Sequence, residues 1–184
     1  MKRGFVAFCA AVAAIVLPHA LQAQDNGDLL SKIINRPPVT AWQVNGLSGK
    51  PNIRNDPGVQ YGKALRVDIP GKGANPWAIA ASNAIDKPVK AGDNLVLAFW
   101  VRLEKGENGA TTATLPYNAI QMSSDPYTAV ISQPVTIGPE WKMVEIKGKA
   151  DRSYAGGQLA VTVHLATAKQ IVDLGPVFVL DMGP

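Results

Sequence analysis

Apolar and polar residues alternate along most of the chain after Pro38, in short runs separated by turns of Gly, Pro, Asn and Asp. A period of two residues is typical of β-strands that bury one face, and helical spacing disappears in this part of the sequence. Strands at such regular intervals favour a sandwich or a barrel. The runs predict nine strands, over Val39–Leu47, Gly62–Ile69, Trp77–Ile85, Asn94–Glu104, Ala113–Met122, Tyr127–Ile137, Trp141–Ala150, Gln158–Thr167 and Gln170–Met182.

Two of these strands show most clearly how their faces divide. The apolar faces, which are predicted to be core, consist of Leu95, Leu97, Phe99, Val101 and Leu103 in one strand and Leu159, Val161, Val163 and Leu165 in the other. The opposite faces read Val96, Ala98, Trp100 and Arg102 in the first strand and Gln158, Ala160, Thr162 and His164 in the second. Since the face with Trp100 is also largely apolar, it is either covered by a second layer or lines a groove. Trp42 and Trp141 end apolar stripes and are predicted to be core.

The first residues have the layout of a secretory signal peptide. Lys2 and Arg3 precede the apolar run Phe5–Leu17, and Ala23 offers a small residue before the cleavage point. The run is shorter than the about 20 residues that a membrane span needs, and no later stretch is as apolar. Residues 1–23 are therefore predicted to be removed, which makes the protein secreted or periplasmic with no membrane span; a retained N-terminal anchor is the alternative.

Residues 24–38 form a lead-in of different character. Leu29, Leu30, Ile33 and Ile34 lie at helical spacing, and Pro37-Pro38 would end such a helix. The lead-in is therefore predicted to be short and helical or irregular. The sandwich is predicted to occupy residues 39–184.

Cleavage of the signal would also exclude several chemistries. Cys9, the only cysteine, and His19, one of the two histidines, lie in the removed segment, which leaves His164. Disulfides, thiol catalysis and sites with two His ligands are therefore excluded. The formal net charge of +4 includes Lys2 and Arg3, and no basic cluster indicates nucleic-acid binding. The motifs GxSxG, GxGxxG and the P-loop are absent.

The order of short motifs along the chain resembles that of the jelly-roll carbohydrate-binding modules attached to bacterial xylanases and related glycoside hydrolases. The pieces, in order, are GKALRVDI, NPWAIAA, KAGDNLVLAFWVRLE, PEWKMVEI, GQLAVTVHL and QIVDLGPVFVLDMG. The resemblance covers roughly Trp42 to Pro184. It implies two antiparallel sheets packed face to face, with sugar bound on a concave sheet face or at the loop end. Because no catalytic domain is recognisable in the sequence, a separately encoded glycoside hydrolase is a candidate partner.

Sugar recognition requires flat aromatic faces that stack on pyranose rings and planar polar groups that reach the hydroxyls. Trp100 and Arg102 share one strand face, Trp77 lies at a loop-to-strand junction, and Tyr117 and Gln121 are four residues apart on one strand. The candidate ligand-binding residues are Trp77, Trp100, Arg102, Tyr117, Gln121, Tyr127 and His164. For Trp100 and Arg102 the alternative is structural, with the Trp packed under a loop and the Arg paired with a carboxylate.

Three functions therefore stand against one another. The main hypothesis is non-catalytic binding of a polysaccharide or oligosaccharide, and the second is a structural or adhesive envelope protein. The third is a polysaccharide lyase, for which Tyr117, Gln121, Arg102 and His164 would have to converge, although the lyase motifs RxExR and QxH are absent. No facing pair of acids indicates a glycosidase. No cofactor is predicted; a structural calcium ion held by Asp68, Asp173 and Asp181 is a further candidate.

Overall fold

The structure is a computed structural model that describes residues 28–184. The predicted signal peptide and the first part of the lead-in lie outside the described residues. Residues 28–31 are helical and end one compact unit, and Lys32–Pro184 forms a second. In the described range no helix is long and apolar enough to cross a membrane.

The second unit is built from two five-stranded sheets in which every strand pair is antiparallel. The strands are β1 (Gln43–Asn45), β2 (Asn52–Asn55), β3 (Lys63–Ile69), β4 (Ala80–Ile85), β5 (Asn94–Lys105), β6 (Ala113–Met122), β7 (Ala129–Ile137), β8 (Lys142–Lys149), β9 (Leu159–His164) and β10 (Gln170–Asp181). One sheet has the order β1-β4-β9-β6-β7 and the other β2-β3-β10-β5-β8. The predicted all-β jelly-roll sandwich is confirmed.

The structure differs from the predicted strands in three places. The first and third predicted strands begin with 3-10 turns, Val39–Ala41 and Pro76–Ala78, before β1 and β4 start. Strand β2 was not predicted, because its residues alternate weakly and all remain exposed or half-buried on a sheet edge. An edge strand needs no apolar face, so hydrophobic patterning does not detect it.

The core lies between the sheets and follows the predicted alternation. The apolar faces predicted for β5 and β9 are buried, as is Trp42, whose Nε1–H donates to the carbonyl oxygen of Gly175 at 2.9 Å. Trp141 is an exception, since it is only half-buried and lies outside the core cluster. It packs instead beneath the guanidinium of Arg102, whose Cζ is 5.0 Å from the ring centroid. The prediction that Trp141 is core is therefore wrong. The alternation of residues gave no sign of its contact with Arg102.

The residues Ile33–Pro37 form a connecting segment that joins the two sheets. The predicted lead-in, short and helical or irregular, agrees with the structure: after the helical residues 28–31, Ile33 bridges Leu180 of β10 and Asn35 bridges Ile85 of β4. A two-residue side-chain network fixes this segment. The buried Asn35 side chain bonds Val177 and Val179 of β10 and donates to the Asn83 Oδ1 of β4 at 2.8 Å.

Asn83 completes the network by donating from Nδ2 to the carbonyl oxygen of Arg36 at 3.0 Å. The two amides thus bond each other, the backbone of β10 and the backbone of the connecting segment. A buried polar network of this kind contributes much when complete and becomes costly when one member is lost.

We expect Asn83→Ala to lower the free energy of unfolding by about 2 kcal/mol, because it removes one acceptor of the buried Asn35 amide and the donor to the Arg36 carbonyl. Asn52→Ala on the exposed edge strand β2 is the control and should change stability by less than about 0.5 kcal/mol. Urea unfolding of both variants measures the difference. Equal stabilities would show that the network does not hold the sheets together.

Candidate functional site

A groove runs over the outer face of the sheet β1-β4-β9-β6-β7, on the side away from the core. It encloses a cavity of about 890 Å³, within the upper range of ligand sites. The lining residues are Gln43, Asn45, Trp77, Ala80, Ser82, Ala84, Tyr117, Gln121, Ser123, Pro126, Tyr127, Ala160, Thr162 and His164. Five of the seven predicted ligand-binding residues therefore lie together.

Strand register explains the shape of the groove. Side chains that share a face of paired strands form rows across the sheet. The middle row, Gln43–Ser82–Thr162–Ala119, carries small side chains on its three inner strands. Ser82 and Thr162 of this row form the floor of the groove, with Ala119 buried beneath it, and the rows on either side carry the larger side chains.

One wall of the groove consists of three aromatic rings. His164 of β9 stacks on Tyr117 of β6, with 4.4 Å between ring centroids and an interplanar angle of 22°. Trp77, from the turn before β4, lies 5.9 Å from the His164 ring and is 59% exposed. Burial raises the pKa of Tyr117 and lowers the pKa of His164. Both rings are therefore neutral at pH 7 and offer faces and hydrogen bonds but no charge.

The opposite wall comes from the end of β6 and the turn that follows. Gln121 lies in the row with Ala84 and Ala160, and Tyr127 projects from the turn, 54% exposed. Tyr127 has a φ of 54°, a left-handed conformation that is uncommon for a residue other than Gly, Asn or Asp. Backbone conformations of this kind concentrate at functional sites, where they aim a particular side chain.

The groove has no formal charge at neutral pH. In the part of the chain that the structure describes, no Asp, Glu, Lys or Arg lines it. Its polar groups are the amides of Gln43, Asn45 and Gln121 and the hydroxyls of Ser82, Ser123, Thr162 and the tyrosines. Such groups both donate and accept hydrogen bonds, which suits hydroxyl-rich ligands.

Trp100 and Arg102 do not lie in this groove. They lie on β5 of the other sheet, on its outer face. The Trp100 Nε1–H donates to Gln60 Oε1 at 3.2 Å, and the residue is half-buried. The prediction that these two residues line the same binding face as the other candidates is therefore corrected. Their contacts resemble the structural alternative, in which the Arg pairs with a carboxylate.

Arg102 belongs to a cluster of three arginines and three carboxylates. Its guanidinium contacts the fully buried carboxylate of Asp173 at 2.9 Å and that of Asp56 at 3.1 Å. Arg66 donates to the other Asp173 oxygen at 2.9 Å. The cluster also includes Arg54 and Glu104. Every charged group here has a partner, so the cluster stabilises the fold.

The cluster also excludes the proposed calcium ligands as a set. Asp173 is saturated by arginines, and Asp181 lies eight residues further along the same strand, which corresponds to about 25 Å. Within residues 28–184, no group of three or more His, Cys, Asp or Glu side chains is arranged to hold a metal ion. Asp68, Asp173 and Asp181 therefore cannot surround one ion.

Several groove residues escaped the sequence analysis. Gln43, Asn45 and Ser82 sit on short strands at one edge of the sheet, in rows with His164 and Thr162. Their type alone does not distinguish them from surface residues. Pairing β4 with β9 would have found Ser82, because it lies directly opposite Thr162.

The model of a protein family described as "Carbohydrate binding domain" matches residues 31–169. The chain belongs to this family. The resemblance inferred from the motif order is confirmed. Among curated proteins, none matches this carbohydrate-binding domain by sequence.

Solved structures of similar shape include several carbohydrate-binding modules. The second N-terminal cellulose-binding domain of Cellulomonas fimi β-1,4-glucanase C is 17% identical, with a TM-score of 0.60 over 83% of this chain and 95% of that one. The CBM22-1 xylan-binding domain of Paenibacillus barcinonensis Xyn10C is 11% identical, with a TM-score of 0.55 over 83% and 93%. At these identities the likeness concerns the fold.

The stability of the carbohydrate-binding domain should depend on pH through His164. Because burial lowers its pKa, the unfolded chain takes up this proton at a higher pH than the folded chain. Stability from this residue is fully present above pH 6.5, its ordinary pKa, and decreases as the pH falls toward the lowered pKa. We therefore expect the melting temperature to fall less between pH 7 and pH 5 in His164→Gln than in the wild type. An equal fall in melting temperature in the two proteins would show that His164 does not cause the pH dependence.

Arg102 should matter for stability and not for ligand binding. We expect Arg102→Ala to lower the unfolding free energy by about 2–4 kcal/mol, because Asp173 keeps its burial and loses a cation. Lys147→Ala, which breaks the exposed pair with Glu145, is the control and should cost about 0.5 kcal/mol or less. Trp100→Phe should leave glycan affinity unchanged. A loss of affinity in Trp100→Phe would return this face to the binding site.

Proposed function

We propose that this carbohydrate-binding domain holds a segment of an uncharged polysaccharide in the groove over β1, β4, β9, β6 and β7. The observation that carries the proposal is an open groove with aromatic rings on two opposite walls and no charged lining residue among those described. Trp77 and Tyr127 would stack on pyranose faces. The amides and hydroxyls between them would bond the ring hydroxyls.

The groove geometry favours a chain bound along its length. The lining residues lie on four neighbouring strands, β1, β4, β9 and β6, which are about 4.8 Å apart, so the groove extends about 14 Å across the sheet. This length accommodates several linked sugars lying across the strands. The similar solved structures are described as cellulose-binding and xylan-binding, and the backbones of both polymers are uncharged.

The N-terminal sequence supports a role outside the cytoplasm. Modules of this family are usually extracellular. We infer that residues 1–23 direct secretion or export to the periplasm, where the domain meets its polymer. The fragment of Clostridium thermocellum xylanase 10B that shares this fold carries a GH10 module, with a TM-score of 0.54 at 12% identity over 82% of this chain and 28% of that one. A glycoside hydrolase is therefore the partner we propose for this domain.

The two other hypotheses lose their supporting observations. The lyase set does not converge, because Arg102 lies on the sheet opposite to Tyr117, Gln121 and His164. A structural or adhesive surface would be favoured by a continuous apolar face, whereas polar side chains interrupt this groove throughout. The groove also lacks, among the described residues, the two facing carboxylates of a glycosidase.

Tyr127→Asn tests the groove with little effect on the backbone. Asn accepts the left-handed conformation of this position, so the change removes the ring and keeps the turn. We expect at least a tenfold loss of affinity for the bound polysaccharide, about 1.4 kcal/mol, measured by calorimetry or affinity electrophoresis against glucans and xylans. Trp77→Ala should cause a similar loss.

Tyr61→Asn is the matched control. Tyr61 is also an exposed tyrosine in the left-handed region, with φ of 65°, but it lies in the turn before β3, beside Phe178 of the other sheet. Its replacement should leave affinity unchanged. Equal effects of Tyr61→Asn and Tyr127→Asn, or no binding by wild type to any uncharged polymer, would contradict the proposed site.

A further inference from the structure

A second, smaller pocket adjoins one end of the groove. It has a volume of about 140 Å³ and is lined by Arg36, Thr40, Ala41, Gln43, Asn83 and Ala84. Gln43 and Ala84 also line the groove, so the two spaces share a border at the edge formed by β1 and β4. A group that branches from a polymer in the groove would reach this side pocket directly.

The side pocket differs from the groove in its charge. Arg36 is the only charged residue lining either space in the described part of the chain. Its side chain is 70% exposed, and only its Nε–H donates to a protein acceptor, Asp86 Oδ2 at 2.9 Å. Asp86 does not line the pocket. The terminal nitrogens of the guanidinium therefore remain as donors toward a ligand.

Hydrogen bonds from the interior of the sandwich fix the backbone of Arg36. Its backbone carbonyl accepts the Asn83 amide, and Asn83 is itself held by Asn35. The Asp86 carboxylate orients the guanidinium from the side. An exposed ion pair of this kind contributes little to stability, so a ligand carboxylate can replace or share it at small cost. The guanidinium fork matches the two oxygens of a carboxylate.

We infer that the side pocket binds an acidic branch, a uronic acid or similar carboxylate-bearing substituent, on an otherwise uncharged polysaccharide. The inference rests on the proposed function, because the groove must hold the backbone that carries the branch. Arg36 supplies the charge, and the hydroxyl of Thr40 and the amide of Gln43 supply further hydrogen bonds. The site therefore combines an uncharged groove with one cationic subsite at its end.

The test compares polymers with one backbone and different branches. Xylan with glucuronosyl branches is compared with xylan with only arabinosyl branches, and carboxymethyl-cellulose with hydroxyethyl-cellulose. For the backbone that binds, we expect the acidic form to bind about fivefold more tightly at low salt. This preference should disappear in 1 M NaCl, where the Debye length is about 3 Å.

Two substitutions separate the guanidinium from its ion pair. Arg36→Gln and Asp86→Asn both break the pair between Arg36 and Asp86. Arg36→Gln should abolish the preference and keep the affinity for the uncharged form. Asp86→Asn, which frees the guanidinium, should keep or increase the preference.

The outcomes distinguish the two proposals. If the uncharged form binds and the acidic form binds no better, the inference is wrong and the proposed function stands. A preference that survives Arg36→Gln, or disappears in Asp86→Asn, also contradicts the inference. If neither uncharged backbone binds, the proposed function itself fails.

Discussion

The groove depends on the alternation of side chains in β4, β9 and β6, which gives one sheet two different faces. Leu159, Val161 and Val163 of β9 fill the core, while the residues between them are small enough to leave an open floor. The same strands therefore bury the apolar surface that stabilises the sandwich and present the polar surface that meets a ligand. A shift of one residue in register would exchange these faces and destroy both.

The other sheet uses the same alternation for a different purpose. Its outer face carries Trp100 and Arg102, which in sequence look like a sugar-binding pair. The tryptophan donates to Gln60, and the arginine pairs with the buried carboxylate of Asp173. These partners lie 40 and 71 residues away along the chain, so local pattern cannot distinguish a covered face from an open one. Which of the two sheets presents the groove is therefore determined by tertiary contacts.

The sequence predicts features that depend on local pattern and misses those that depend on contacts between distant residues. Strand faces, the core of β5 and β9 and the sandwich class follow from period-two patterning, which each strand carries by itself. Trp77, Tyr117 and His164 were candidates because they are rings outside the predicted core stripes, and the structure places all three at one groove. Ser82 and Gln43 were not candidates, because their place at the groove arises only when β1, β4 and β9 pair. The lead-in was predicted to be helical or irregular, and its irregular part follows from bonds of Ile33 and Ile34 to β10, which local spacing does not reveal.

That connecting segment links stability to recognition. Asn35 and Asn83 join the sheets inside the sandwich, and the same amides fix the backbone of Arg36 at the mouth of the side pocket. A residue on a free loop would lose conformational entropy when it bound a ligand, whereas the backbone of Arg36 is already ordered by folding. The one cation at the end of an uncharged groove is thus positioned by the core network, and its side chain retains the freedom to exchange Asp86 for a ligand.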